Sequence, residues 1–139
     1  VVEGDAEKDL VNYPNQSFDI AILNQAIQQF YEPRKVLNEL LRIAKQAIIT
    51  IPNFGYWKVR LNLLVTGTMP VTKTLPHSWY DTPNLHMSSI KDFYNLCSLD
   101  NVNVIKSISI SSNKISDITS NNLEIKNLVS ELGVFVVSK

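Results

Sequence analysis

The sequence predicts an α/β fold in which helices cover a parallel sheet that carries an antiparallel pair of strands at one edge. Early in the chain, two short apolar runs flank a stretch of helical periodicity, an order typical of parallel strands joined by a helix. Two later strand-like runs, residues 102–111 and 133–137, have no long helix between them, which favours antiparallel pairing. The chain has 139 residues, and we expect residues 1–139 to form a single domain.

The first strand–helix–strand unit accounts for the parallel part of the sheet. Residues 20–23 and 47–51 are continuous apolar runs, as in parallel strands that are buried on both faces. Pro33 suits the first turn of the helix between them, because the N–H that proline lacks would have no partner there. One apolar stripe then follows at helical spacing: Val36, Leu37, Leu40, Leu41 and Ala44.

The residues that follow parallel strands indicate where a ligand would bind. The carboxyl ends of such strands lie together at one edge of the sheet, here called the carboxyl edge, and ligands bind beside it. Asn24 and Gln25 follow the first apolar run, and residues 52–54 follow the second. The opening residues read as the end of an earlier strand. We therefore expect residues 3–6 at the same edge, and we expect the natural protein to be longer than this chain.

Residues 57–87 depart from the simple α/β pattern. Trp57, Leu61, Leu64 and Val65 share one face of a predicted short helix, so we expect Trp57 to fill the core. Residues 66–87 show no periodicity and contain both histidines and three of the six prolines. A loop of about 20 residues in a compact domain is usually functional or disordered. Its aromatic residues favour a functional loop, because disordered segments are poor in aromatics.

The C-terminal part is predicted to hold one capped helix and the antiparallel strands. Ser89 and Asp92 have the spacing of a capping box, which marks the start of a helix. From residue 102 to 111 apolar and polar side chains alternate, as in a strand with one wetter face. Residues 112–122 read as a polar loop, and a short helical patch around Ile125 precedes the last strand.

Composition excludes several classes of function. Thirteen Lys and Arg residues balance thirteen Asp and Glu residues, without clusters of either sign. A nucleic-acid groove or a polybasic membrane patch needs concentrated positive charge, so neither is expected. No apolar run approaches the roughly 20 residues that span a bilayer. The one cysteine, Cys97, excludes an internal disulfide and a cysteine-based zinc site. A cytoplasmic protein is the default expectation.

Two groups of residues carry candidate chemistry, one at the end of a strand and one in the long loop. Gly4, Asp5 and Ala6 could hold an adenine, since the carboxylate accepts from the exocyclic amine and the next N–H donates to the ring; an exposed turn is the alternative. His77 and His86 could each accept a proton or be hydrogen-bonded within a packed loop. Their spacing matches no familiar metal motif, so no metal is expected.

Aromatic and basic residues around the loop suggest a binding surface. Trp79 and Tyr80, together with Tyr56, could wall a substrate pocket or form a partner surface, because aromatics anchor both. Arg60 could bind a substrate carboxylate in a bidentate pair or remain solvated. Cys97 falls on the apolar face of its predicted helix, so we interpret it as a packing residue and not as a nucleophile.

These stretches together resemble a known family. The specific ones are residues 51–60, 67–73 and 75–86, and shorter matches occur at 4–6, 17–19 and 127–139. They resemble the MetW family, methionine-biosynthesis proteins with a class I S-adenosylmethionine-dependent methyltransferase fold. The resemblance implies a Rossmann-like methyltransferase sheet. Family members begin with a strand, a glycine-rich cofactor loop and a second strand, which would all precede Val1, so the N-terminal strands are expected to be missing from this chain.

The resemblance also implies roles for particular residues. Asp5 and Ala6, after Gly4, would contact the adenine of S-adenosylmethionine, and Asn24 and Gln25 would lie near its methionine part. Asn53 joins the predicted substrate or partner surface, which also contains Tyr56, Arg60, Trp79 and Tyr80. His77, Tyr80 and His86 are the candidate bases. The family is associated with homoserine O-acyltransferase, so two functions stay open: methyl transfer to an unknown small molecule, or a non-catalytic regulatory partner of that enzyme.

Overall fold

The sheet has five strands and confirms the predicted α/β class. The structure, a computed structural model, describes residues 4–112 and 114–139; the strand end expected at Val1 and Val2 lies outside them. The strands are β1 (Phe18–Asn24), β2 (Ala44–Pro52), β3 (Asn103–Ser111), β4 (Lys114–Asp117) and β5 (Leu132–Ser138). Their order in the sheet is β1-β2-β5-β3-β4. β1 and β2 are parallel, and β5 is antiparallel to both β2 and β3.

The predicted antiparallel pair forms, but it does not lie at the edge. β5 is inserted between β2 and β3, and the edge strand is β4, which the sequence analysis placed in a polar loop. β4 pairs with β3 through Ile110 opposite Ile115. A four-residue strand with Lys and Asp at its ends is typical of a sheet edge, and this short pattern is difficult to distinguish from a polar loop.

One face of the sheet holds the main core. In the described residues five α-helices accompany the strands: α1 (Ala6–Asp9), α2 (Pro33–Ile43), α3 (Trp57–Thr66), α4 (Ile90–Leu99) and α5 (Leu123–Val129). Two short 3-10 helices are Leu10–Asn12 and Ile27–Gln29. The apolar stripe of α2 and the buried side of α4 pack in one cluster with Ile49, Phe135 and Val137 from the sheet. The ring of Phe135 lies 4.5 Å from that of Phe93, centroid to centroid. The predicted capping box of α4 is confirmed, and so is the predicted stripe of α2 as far as Leu41, whereas Ala44 is already the first residue of β2.

Within the described part of the chain, the opposite face of the sheet is exposed along β1 and mostly half-buried along β2 and β5. Phe18, Ile20 and Ile22 of β1 point to this face and are exposed, although the sequence predicted a strand buried on both faces. That prediction is wrong for the described residues. A continuous apolar run shows that both faces of a strand are suited to burial. Burial of the second face also requires other residues to pack against it.

A bulge in β3 reverses the expected alternation of that strand. Val104 pairs with Val137 and Lys106 with Val136, so one extra residue separates the two pairs. Beyond this irregularity Ser107 and Ser109 point into the core face, and Ile108 and Ile110 point away from it. The buried serines are satisfied: Ser107 Oγ donates to the carbonyl of Ile118, and Ser109 Oγ donates to that of Ser116.

Helix α3 is present as predicted, but its apolar face points outward. Its packed side is the small cluster of Tyr56, Val59 and Leu75, which is separate from the main core. Trp57 is 42% exposed, so the expectation that it fills the core is wrong. Gly67 ends the helix in the left-handed conformation, with φ of 67°. In residues 4–112 and 114–139, no helix is both long and apolar enough to cross a membrane.

Candidate functional site

The carboxyl edge of the sheet is organised around the end of β1. Because β1 and β2 are parallel, Asn24 lies opposite Thr50. The Thr50 hydroxyl donates to Asn24 Oδ1 and also accepts from the backbone N–H of Gln25, 2.8 Å away. Gln25 itself has a φ of 50°, in the left-handed region. These bonds position Asn24 and Gln25 where β1 turns out of the sheet.

Two distant parts of the chain meet in the segment that follows β1. We call residues 25–32 the post-β1 segment. On one side, the backbone N–H of Glu32 donates to Glu7 Oε1 at 2.8 Å. On the other side, the N–H groups of Leu85 and His86 both donate to the carbonyl of Gln28, each at 3.0 Å. The N-terminal residues and the long loop therefore approach the same short segment of backbone.

Gln28 is the buried centre of the post-β1 segment. It is 3% exposed, and its Nε2 donates to the carbonyl of Gln25 at 2.9 Å. Its Oε1 is buried and accepts no hydrogen bond from the residues that the structure describes. A buried acceptor without a donor is costly, by about 1–3 kcal/mol. This atom therefore offers a place for a hydrogen-bond donor from a bound molecule, and the sequence analysis did not single it out.

Asp5 caps the first helix and keeps an exposed carboxylate. Its Oδ1 accepts from the N–H of Glu7 at 3.0 Å, and its Oδ2 is 2.8 Å from Lys8 Nζ. The hydrogen bond from Lys8 holds the pKa of Asp5 below its ordinary value of 3.8. Asp5 is therefore ionised at neutral pH. Each carboxylate oxygen has a second lone-pair direction, so the group can still accept from a ligand.

A cavity of about 240 Å³ lies beside the carboxyl edge, between the end of β2 and the long loop. Apolar walls come from six residues: Phe54, Met69, Pro70, Leu75, Leu85 and Met87. Trp79, His77, Thr82 and Asn84 complete the lining. The sequence does not predict the six apolar walls, because apolar residues in a segment without periodicity show no pattern that would indicate a cavity.

The three candidate bases occupy different surroundings. His77 lines the cavity and is exposed at its mouth. His86 is exposed and is not among the lining residues, although its backbone is bonded to Gln28. Tyr80 is exposed, and its ring stacks edge-on against that of Trp79 at 5.7 Å. The structure therefore brings His77 together with the cavity, and His86 and Tyr80 lie outside its walls.

Asn53 is the most heavily hydrogen-bonded of the predicted surface residues. It is 1% exposed, its Nδ2 donates to the carbonyls of Asn127 and Ser130, and its Oδ1 accepts from the N–H groups of Gly55 and Ile90. The amide thus joins the turn after β2 to the start of α4 and the end of α5. Since all its polar capacity is used within the chain, Asn53 positions the turn that carries Phe54.

The remaining predicted residues are also located. Tyr56 is buried in the small cluster beneath α3, and Arg60 Nε donates to the carbonyl of Gly55 at 2.6 Å. Cys97 is buried in the main core, and burial raises its pKa to about 12, so the packing role predicted for it is confirmed. In the described ranges, no group of three His, Cys, Asp or Glu side chains could hold a metal ion.

Solved structures similar to this chain define the class of fold. A Thermotoga maritima protein described as an S-adenosylmethionine-dependent methyltransferase, possibly a histamine N-methyltransferase, is 16% identical, with a TM-score of 0.67. A methyltransferase of the same kind from Archaeoglobus fulgidus is 12% identical, with a TM-score of 0.64. Each alignment covers 100% of this chain, and 63% and 67% of the two structures. The fold is that of the S-adenosylmethionine-dependent methyltransferases.

Sequence comparison then identifies the family. The chain belongs to the MetW family, whose model, described as methionine biosynthesis protein MetW, matches residues 1–137. A relative from Rhodopirellula baltica, the bifunctional methionine biosynthesis protein MetXA/MetW, is 32% identical over 106 residues. That alignment covers 76% of this chain and 17% of the relative, so the chain spans less than a fifth of that protein's length.

Proposed function

We propose that this chain binds S-adenosylmethionine at the carboxyl edge of its sheet and takes part in methyl transfer to a small molecule in methionine biosynthesis. The observation that carries the proposal is the meeting of the N-terminal residues and the long loop at the post-β1 segment, next to Asn24 and Gln25. The fold and the family support it.

The donor and acceptor groups present fit the cofactor. The ionised carboxylate of Asp5 can accept from the adenine amine, and the N–H of Ala6, in the first turn of α1, can donate to the ring. Gln28 Oε1 is a buried acceptor that a cofactor amine or hydroxyl could satisfy. Asn24 and Gln25, tied to Thr50, would lie near the methionine part.

In this proposal the chain supplies alignment and exclusion of water. S-adenosylmethionine, when bound, supplies an activated methyl group. The cavity beside Phe54 would hold the acceptor in line with it, and the apolar walls would exclude water from the reacting atoms. His77 is the candidate to take a proton if the acceptor has to lose one, because it is the predicted base that lines the cavity.

Isothermal titration calorimetry with S-adenosylmethionine and its demethylated product tests cofactor binding. The informative variant is Asp5→Ser, because serine also caps a helix well, so α1 is retained while the carboxylate is lost. We expect binding to weaken about ten-fold or more, the value of a hydrogen bond to a charged group. Asp81→Ser, at an exposed carboxylate of the loop, is the matched control.

Two results would contradict the cofactor proposal. One is the absence of heat with either ligand on a folded sample of the full-length protein, and the other is equal binding by Asp5→Ser and the unsubstituted protein. If Asp81→Ser weakened cofactor binding to the same extent, the loss caused by Asp5→Ser would come from the change in net charge and not from a lost contact with the adenine.

A second candidate function is a regulatory partnership with homoserine O-acyltransferase. Two observations favour it: the relative joins MetXA and MetW in one polypeptide, and α3 presents an exposed apolar stripe. The stripe consists of Trp57, Leu61, Leu64 and Val65. Residues at this spacing share one face of a helix and can enter a groove of a partner. Trp79 and Tyr80, both exposed, would extend the docking surface.

Co-purification with homoserine O-acyltransferase at micromolar concentration tests this partnership. We expect a stable complex that Leu64→Glu abolishes, because a carboxylate would then be buried in an apolar contact. Leu99→Glu changes another exposed leucine, at the end of α4, and is expected to leave the complex intact. Separate elution of the two unmodified proteins would contradict the partnership, whatever the cofactor titration shows.

A further inference from the structure

The chemistry of the cavity beside Phe54 limits what it can hold. We infer that this cavity binds an uncharged, largely apolar small molecule, which under the proposed function is the methyl acceptor. None of its ten lining residues is Asp, Glu, Lys or Arg. An ion entering such a cavity would give up part of its hydration, and the exposed imidazole of His77 is the single lining group that could offer it a charge, so an uncharged guest is favoured.

The polar groups of the lining are few and can serve one hydroxyl, amide or carbonyl of a ligand. They are the imidazole of His77, the hydroxyl of Thr82 and the amide of Asn84. The Thr82 hydroxyl already accepts from the N–H of Asn84 at 3.2 Å, and it retains its own proton for donation. A largely apolar pocket with a few convergent polar groups is the usual form of a small-molecule site.

The size of the cavity restricts the ligand further. The cavity has a volume of about 240 Å³. Drug-sized sites start at about 300 Å³. The expected ligand is therefore a compact molecule or the apolar end of a larger one. The thioethers of Met69 and Met87 adapt to the shape of an apolar guest, because methionine is unbranched and polarizable.

The position of the cavity connects it to the carboxyl edge. Leu85, one of its walls, donates its backbone N–H to the carbonyl of Gln28, and the side chain of Gln28 donates to the carbonyl of Gln25. A continuous series of hydrogen bonds thus joins the cavity wall to the residue at which the proposed cofactor would bind. The assignment of the ligand as methyl acceptor rests on the proposed function; the preference for an uncharged ligand rests on the walls alone.

The two methionines of the chain make a direct test possible. Both Met69 and Met87 line the cavity, and they are the only two in the sequence. Protein labelled with ¹³C at the methionine methyl groups therefore gives two NMR signals, each of which reports on the cavity. The probes are cyclohexanol, cyclohexanecarboxylate and cyclohexylammonium, which share one ring and differ in charge. We expect cyclohexanol to shift both signals to saturation, and the two ions to bind at least about ten-fold more weakly.

Paired variants locate the binding. Trp79→Ala removes one wall and is expected to weaken cyclohexanol binding about three- to ten-fold, the value of an aromatic contact. Leu99→Ala removes an exposed apolar side chain at the end of α4, which does not line the cavity, and should leave the affinity unchanged. Leu85→Lys places a cation in the wall while keeping the backbone bond to Gln28, and it should reverse the preference in favour of the carboxylate.

The first outcomes below test the inference itself, and the last one separates it from the proposed function. No saturable shift up to the solubility limit of cyclohexanol, or equal binding of either ion to the parent chain, would overturn the inference. Equal effects of Trp79→Ala and Leu99→Ala would overturn the assignment to this cavity. If cyclohexanol binds as expected but calorimetry detects no S-adenosylmethionine binding, the uncharged-ligand site stands and its role as acceptor site fails.

Discussion

The covered face of the sheet and the excursion that follows β2 are built on different principles. On the covered face, Phe135 is fully buried between α4 and the sheet, with ring contacts to Phe93 and Tyr94. In the excursion, residues 57–88, large apolar side chains stay on the surface: Trp79 is 73% exposed and Leu64 is 83% exposed. The covered face stabilises the fold, and residues 57–88 present apolar surface that other molecules can contact.

The contacts of the excursion explain why it can present this surface. It is held to the rest of the chain by a small core of its own and by backbone bonds, such as that from Phe54 N–H to the carbonyl of Ser88. Backbone hydrogen bonds determine the path of a loop and do not require its side chains to pack in a core. Exposed aromatic and aliphatic residues are therefore free to serve binding, which is the usual role of loops on a rigid scaffold.

The largest expected difference between the regions is in the cost of removing an aromatic ring. Phe135→Ala should lower the free energy of unfolding by about 3–5 kcal/mol, because it leaves a cavity in the main core. Trp79→Ala should change it by no more than about 0.5 kcal/mol, since its ring is mostly in water. Urea unfolding of both variants measures the contrast, and similar losses would show that the two regions form one cooperative core.

A buried amide should be the next most sensitive feature. Asn53→Ala removes an amide that makes four hydrogen bonds to backbone groups, so we expect a loss of about 2–4 kcal/mol in the free energy of unfolding. Asn62→Ala, at an exposed asparagine of α3, is the control and should be close to neutral. A small loss for Asn53→Ala would mean that water replaces the amide, and that the turn before α3 is less rigid than its bonds indicate.

The ion pair between α2 and α4 gives a smaller, pH-dependent effect. Arg34 donates to both carboxylate oxygens of Asp100 at the end of α4, and Asn38 adds a third bond. The pKa of Asp100 is lowered from its ordinary value of 3.8, chiefly by the bond from Arg34. A lowered folded-state pKa stabilises the protein above the unfolded value, and this stabilisation disappears as the pH falls through the folded-state pKa.

Arg34→Met should therefore lower the melting temperature at neutral pH, and its difference from the parent chain should narrow as the pH falls below 3.8. Lys45→Met breaks the pair with Asp19, in which both side chains are exposed, and should have less effect at every pH. Thermal melts across this range compare the two. A constant difference for Arg34→Met would show that it acts through lost packing and not through the charge of Asp100.

The smallest expected effect on stability belongs to the stripe on α3. Leu64→Ser should leave the free energy of unfolding within about 0.5 kcal/mol, because the side chain is already in water. Urea unfolding measures this. A large loss would show that the stripe packs in the core. The contrast between a buried, stabilising face of the sheet and an exposed surface in residues 57–88 would then not hold.

Part of the candidate site could be predicted because its signals are local. Asn24 and Gln25 were placed correctly at the carboxyl edge, since an apolar run and its polar end are read directly from neighbouring residues. Gln28 and the cavity walls were missed. Gln28 contacts Leu85 and His86, nearly sixty residues away, and no short-range pattern records such a contact.

By itself, the sequence determined the features that depend on neighbours along the chain: the apolar stripe of α2, the capping box of α4, the burial of Cys97 and the resemblance to the family. Helical periodicity and capping are decided within a few residues. Only the tertiary structure decided that β5 lies between β2 and β3, that a bulge turns Ser107 inward, and that Asn53 is bonded to Asn127. These features depend on pairing between distant segments, where one added residue reverses which side chains are buried.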